Sequence, residues 1–163
     1  FKAIMILHVK GSNKAIRKLV ESATRFYAEK LMGKRLTENL KITINLKRNL
    51  LSKEGLEGSA VWEDDSYRPR EFIVEIDSTV KVRNILLTLA HEMVHVKQWA
   101  KDEMYEYLNT IGMVRFKGEK VHLDSLEYWD QPWEIEAYGK QLGLFIRYCE
   151  NMNFDREDMK EDA

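Results

Sequence analysis

The sequence predicts an α+β domain: a mostly antiparallel sheet with an N-terminal helix, a central helix and a C-terminal helix. Three observations lead there. Apolar residues alternate with polar ones at period two in 40–46 and 71–76. They recur at helical spacing in 14–32, about 80–101 and 132 to about 150. Glycine, asparagine and proline clusters separate these runs.

Residues 2–9 can form a strand, which Gly11-Ser12-Asn13 breaks while offering a helix cap at Ser12 or Asn13. Ile16, Leu19, Val20, Ala23, Phe26, Tyr27 and Leu31 then make one helical stripe, with Gly33 as its stop. Leu40, Ile42, Ile44 and Leu46 mark a half-buried strand, and 47–56 reads as a polar loop. Gly58–Glu63 and Glu71–Ile76 read as strands around the turn-rich 64–69. Phe72, Val74 and Ile76 share one face, with Glu71, Glu75 and Asp77 on a wet opposite face, so helices are expected on one side of the sheet only.

Asp77, Ser78 or Thr79 can cap a long helix whose core stripe is Val82, Ile85, Leu86, Leu89, Met93, Val96 and Ala100. Residues 113–122 read as a hairpin turning near Gly118. Pro132 suits a helix first turn, with Asp130 as its cap, and Ile135, Tyr138, Leu142, Phe145, Ile146 and Cys149 form the apolar stripe of that last helix. Residues 1–154 read as one domain and 155–163 as an acidic, frayed tail.

The balance of 26 basic and 27 acidic residues gives a formal charge of -1, so no global field draws the chain to nucleic acid or an anionic membrane. The single cysteine, Cys149, cannot form an internal disulfide and reads as a small buried hydrophobe. No stretch approaches the ~20 apolar residues that span a bilayer. The first nine residues lack the basic flank and cleavage site of a targeting segment. A cytoplasmic monomer is expected.

The sharpest chemical feature is His91-Glu92-Met93-Val94-His95 within the central helix. Residues four apart lie on one helical face, so both imidazoles can meet one tetrahedral Zn²⁺ at roughly 2.0–2.1 Å. Glu92 points about 100° round the helix from His91, where its carboxylate can take a proton from an attacking water. The two histidines fall opposite the core stripe, yet Leu87, Ala90 and Val94 extend apolar character around the sides, so the helix is expected to be covered on most faces.

A catalytic zinc needs a third protein ligand. Downstream candidates are His122, Asp124, Glu127, Asp130, Glu134 and Glu136. Glu134 lies about 70° from the centre of the stripe of the last helix and Glu136 about 130° away. Glu134 is therefore favoured, with Glu136 and His122 as alternatives. Tyr138, one turn from Glu134, can donate a hydrogen bond to a ligand or to the reacting carbonyl oxygen; Tyr128 is a weaker version of the same idea. Trp99 is placed to wall a cleft, Trp129 and Trp133 to pack at the entry of the last helix, and Lys97, Gln98 and Lys101 to face solvent.

The His91–His95 motif followed some 40 residues later by Trp133-Glu134-Ile135-Glu136-Ala137-Tyr138 resembles the gluzincin branch of zinc metallopeptidases over roughly residues 80–150. It is similar to small minimal-domain, zincin-like peptidases of the SprT-like and ImmA/IrrE-like groups and related phage or bacterial proteins. The resemblance implies one catalytic zinc held by His91, His95 and Glu134, with Glu92 as general base. Tyr138 stands where that pattern often has Asp or Asn, and the SprT-like group takes a histidine as third ligand, which keeps His122 in play. The implied activity is peptide-bond hydrolysis on a peptide or protein substrate, in the bacterial cytoplasm or a phage host's. Hydrolysis of a non-peptide amide and a non-catalytic zinc-binding regulatory role are the alternatives.

Overall fold

A computed structural model describes residues 4–64 and 66–154. Strand β1 (Ile6–Lys10) leads into helix α1 (Lys14–Thr37), capped by Asn13, whose side chain accepts from the Ile16 amide at 2.9 Å. Gly33 does not stop this helix. It takes φ 79° and kinks the chain, which then resumes helical geometry to Thr37. Strand β2 (Lys41–Lys47) follows. The expected loop after it contains a short helix, α2 (Leu50–Glu54), closed by Gly55 in the left-handed region.

Strands β3 (Gly58–Trp62) and β4 (Glu71–Asp77) complete a four-stranded sheet in the order β1-β2-β4-β3. Helix α3 (Val82–Ala100) carries the His91–His95 motif. A second sheet comprises β5 (Met104–Glu106), β6 (Met113–Phe116) and β7 (Glu119–His122). Two single 3₁₀ turns, Leu123–Ser125 and Tyr128–Asp130, lead to helix α4 (Pro132–Asn151). The acidic tail lies outside the described residues, among which no helix is long and apolar enough to cross a membrane.

The class is α+β. Among the described residues, three of the five strand pairings are antiparallel, β3–β4, β5–β6 and β6–β7. The other two, β1–β2 and β2–β4, are parallel. For β1–β2 the strand-helix-strand succession requires this, because α1 carries the chain back along the sheet before β2 begins, and for β2–β4 the edge strand β3 runs in the opposite direction between them in sequence. Ile42, Ile44, Phe72, Val74 and Ile76 are fully buried, while their neighbours along each strand, Asp77 apart, are partly or fully exposed. The sheet thus packs helices on one face. Tyr27 of α1 donates to the Leu86 carbonyl of α3 at 3.1 Å inside this core.

Several local expectations are corrected. Asp77 is buried, not on a wet face, and does not cap α3. Its carboxylate accepts from the Leu51 and Thr79 amides and the Thr79 hydroxyl, so it ties α2 to the end of β4. The N-cap of α3 is Lys81 and that of α4 is Gln131, neither with a side-chain hydrogen bond. Strand β5 had no period-two signature, because three residues are too few to show one. The hairpin turns at Lys117-Gly118, both at positive φ, the two-residue geometry that matches strand twist.

The buried face of α4 is rotated by roughly 100° from the expected stripe. Trp133, Glu134, Ala137, Phe145, Tyr148 and Cys149 are buried, whereas Ile135, Tyr138, Leu142 and Trp129 are exposed. Trp133 and Trp129 both pack at the helix entry as expected, Trp133 buried and Trp129 exposed with its ring 5.1 Å from that of Tyr138.

Gly58 makes the contact that sets the site's geometry. A β-carbon there would lie 2.6 Å from Thr88 Cγ2, 2.9 Å from the Glu75 carbonyl oxygen and 3.4 Å from Glu92 Cγ. Strand β3 therefore rests directly on α3 beside Glu92. Gly58→Ala is expected to destabilise the fold by about 1–3 kcal/mol through overpacking, read as a lower urea midpoint.

Candidate metal centre

Helix α3 is covered on nearly every side: from Ile85 to Ala100 all residues but Leu87 are buried. Its histidines and Glu92 are buried with it, at 6–8% exposure. Helix α4 crosses the same face and brings Glu134 down onto the pair. Glu134 Oε1 lies 3.0 Å from His91 Nε2, and Oε2 lies 3.1 Å from His95 Nε2. The ligand atoms of all three residues fall within 4.8 Å of one another.

Two glutamines orient the histidines. Gln141 Oε1 sits 2.8 Å from His91 Nδ1, and Gln98 Oε1 sits 2.8 Å from His95 Nδ1. Gln98 Nε2 donates to the Trp133 carbonyl at 3.0 Å and to Glu136 Oε1 at 2.8 Å. Both partners only accept, so the oxygen of Gln98 is the atom facing His95. Nδ1 of His95 then carries a ring proton, which leaves Nε2 as the atom turned to the Glu134 carboxylate. The two meet at 3.1 Å, a contact held by a proton on Nε2 that a metal cation can replace. Two imidazole nitrogens and a carboxylate are the donor set that suits zinc.

Lys97 and Gln98 do not face solvent. Both are buried, and Lys97 Nζ lies 2.7 Å from Glu136 Oε2 and 2.8 Å from Glu103 Oε1. Burial opposes the Lys97 charge, but hydrogen bonds to Glu103 and Glu136 outweigh it and raise its pKa. Glu136 shows the converse: burial pushes its carboxyl up, and Lys97 and Gln98 hold it below the ordinary range. Glu136 is thus no ligand but the anchor of the chain Lys97–Glu136–Gln98–His95. Lys101 is exposed as expected.

His122, Asp124, Glu127 and Asp130 are exposed and lie outside the cluster. His122 caps the first 3₁₀ turn. Tyr128 donates to Glu134 Oε1 at 3.0 Å, and its hydroxyl lies 3.2 Å from that of Tyr138. Tyr138 also sets its ring edge-on to His91, centroids 4.5 Å apart. Trp99 stands 6.1 Å from the His95 ring and walls the cleft.

Burial raises the Glu92 pKa; His95 and His91 pull it back in part and Glu134 adds to the rise. Glu134 is pushed up by burial but held well below the carboxylate range by its hydrogen bonds to His91 and His95. His95 is disfavoured as a cation by burial, yet the Glu134 carboxylate more than compensates and raises its pKa. Two cavities meet at Glu92 and His91. One, of about 620 Å³, extends past Leu51, Leu56 and Gln141. The other, of about 280 Å³, extends past Ser59, Ala60, His95, Met104 and Glu106. Together they form a groove along β3.

The glutamines were not singled out as site residues, although their spacing carried a signal. Gln98 lies three residues after His95 and Gln141 seven after Glu134, each on its ligand's helical face. Gln98→Leu is expected to weaken zinc affinity by about 10–100-fold, measured by competition with a chromophoric chelator.

The chain matches no protein-family model, no curated protein and no solved structure. The site therefore stands on its own geometry. The buried His91-Glu92-x-x-His95 helix, completed by the distal Glu134, forms an HExxH-type zinc-binding triad, the ligand set expected from the sequence.

Proposed function

We propose that this protein is a zinc-dependent peptidase that hydrolyses extended segments of peptide or unfolded protein. The observation that carries this reading is the convergence of His91, His95 and Glu134 within 4.8 Å, with Glu92 buried beside them at the meeting point of a groove. When bound, zinc supplies a Lewis acid for the substrate carbonyl and makes water a nucleophile at neutral pH.

The chain's own residues do the rest. Glu92, its pKa raised by burial, takes the proton of the attacking water and passes it to the leaving amine. Gln98 and Gln141 hold each imidazole with Nε2 facing the metal position. Strand β3 is an edge strand, so its free side can pair with an extended backbone lying in the groove. The Tyr128–Tyr138 hydroxyl pair lies at the rim of the ligand set, where Tyr138 supplies a donor to the reacting carbonyl oxygen and Tyr128 braces Glu134.

Cleavage of an unfolded protein by the zinc-loaded chain, abolished by chelation and restored by zinc, tests the reading. Tyr138→Phe is expected to lower kcat by about 10²-fold with KM little changed, and Tyr128→Phe to lower zinc affinity more than kcat. Equal kcat in wild type and Tyr138→Phe removes Tyr138 from the mechanism.

A further inference from the structure

Beyond the metal, the groove opens into a side pocket of about 120 Å³. It shares Trp99, Met104 and Glu106 with the cavity that holds the triad. Trp62, Tyr67 and Leu108 are among its other walls. The Trp62 and Trp99 rings meet edge to face at 5.3 Å, and Trp99 is held from behind by Phe72, so the aromatic wall is fixed.

Glu106 is the one carboxylate in that lining. It is partly buried, and its carboxylate has no hydrogen bond or ion pair among the described residues. Burial alone pushes its carboxyl up, with no nearby cation to counter it. Cations elsewhere on α3 and β6 and in the β6–β7 turn have other partners. Arg115 binds Asp102 at 2.8 Å and covers the Tyr67 and Tyr105 rings. Lys97 is held by Glu103 and Glu136, and Lys117 lies 3.7 Å from Glu136. A desolvated acid without a partner costs stability unless a ligand supplies the charge.

The geometry points to a subsite for a basic side chain of the substrate: an arginine or lysine whose stem lies along Trp62, Trp99 and Met104 and whose charged head meets Glu106. The aromatic walls accept both parts, since a long basic side chain buries methylenes and its cation is attracted to ring faces. The choice of a peptide as ligand rests on the peptidase reading; the cation preference does not.

The test separates the two. Zinc-loaded Glu92→Gln protein, which should bind without cleaving, is titrated with blocked alanine-based peptides carrying Arg, norleucine or Glu at each position in turn, followed by tryptophan fluorescence. One position is expected at which Arg binds about tenfold more tightly than norleucine, and Glu more weakly than either. Adding Glu106→Gln should bring the Arg-to-norleucine ratio close to one, and Glu106→Asp should retain a preference for Arg. Zinc content and circular dichroism establish that these variants are folded. If no position prefers Arg, or if Glu106→Gln keeps the preference, the subsite is refuted. If Arg preference holds but wild type cleaves none of these peptides or an unfolded protein, the subsite stands and the peptidase reading falls.

Discussion

Glu92→Gln is expected to keep its zinc and lose about 10²–10⁴-fold in kcat. The amide has the shape of the carboxylate but cannot accept a proton from water. The expectation is sharper than for an exposed acid. Glu92 is 6% exposed, with β3 packed against its side chain at Gly58, so no other carboxylate can take its position without moving the strand. Glu134 is the acid in contact with the two histidines, and both its oxygens already face their nitrogens. The measurement is steady-state hydrolysis of an unfolded protein alongside metal analysis of the same sample. Hydrolysis at the wild-type rate by a zinc-loaded Glu92→Gln protein would show that Glu92 is not the base.

The second large effect separates the two glutamates of α4. Glu134→Ala is expected to lose about one equivalent of bound zinc, because two imidazoles alone leave a tetrahedral site half empty. Glu136→Ala is expected to retain zinc with about 10–100-fold weaker affinity. It should also cost about 1–3 kcal/mol of stability, since Gln98 Nε2 loses an acceptor and Lys97 keeps only Glu103. The two variants thus differ in kind. One abolishes binding at the metal; the other loosens the support behind His95 and lowers the denaturation midpoint. Retention of full affinity by Glu134→Ala together with its loss in Glu136→Ala would reverse the assignment.

How far the sequence was legible follows from the range of the interactions involved. The His91-Glu92-x-x-His95 spacing is local, and a helix converts it into stacked ligands wherever the helix sits. The alternation in β2 and β4 is equally local, and Ile42, Ile44, Val74 and Ile76 are buried as it implied. Glu134 was favoured from an angle measured against Ile135, Tyr138 and Leu142, yet those residues are exposed. The true buried face includes Ala137 and Tyr148 and contains Glu134 more centrally. The choice agrees with the structure although its reference stripe was rotated.

That rotation has a physical cause. Ile135, Tyr138 and Leu142 lie on the exposed side of α4 while other apolar residues enter the core, so hydrophobicity alone could not say which face of α4 meets α3. Lys97 and Gln98 were misplaced for the converse reason. Polar residues face solvent by default, and it takes the distant Glu136 and Trp133, together with the nearby Glu103 and His95, to make their burial tolerable. Asp77 follows the same logic, with one carboxylate oxygen satisfied by the Leu51 amide of α2 and the other by Thr79. The parallel pairing of β1 and β2 was within reach, since a 24-residue helix between two strands is a crossover, not a hairpin.

The central claim is that one zinc ion sits on His91, His95 and Glu134. Anomalous diffraction at the zinc edge from crystals of the zinc-loaded protein tests it most directly. The expected result is a single peak roughly 2.0–2.2 Å from His91 Nε2, His95 Nε2 and a Glu134 carboxylate oxygen. A peak coordinated by His122 or Glu136 instead, or no peak at the α3–α4 crossing in protein that carries zinc, would contradict it.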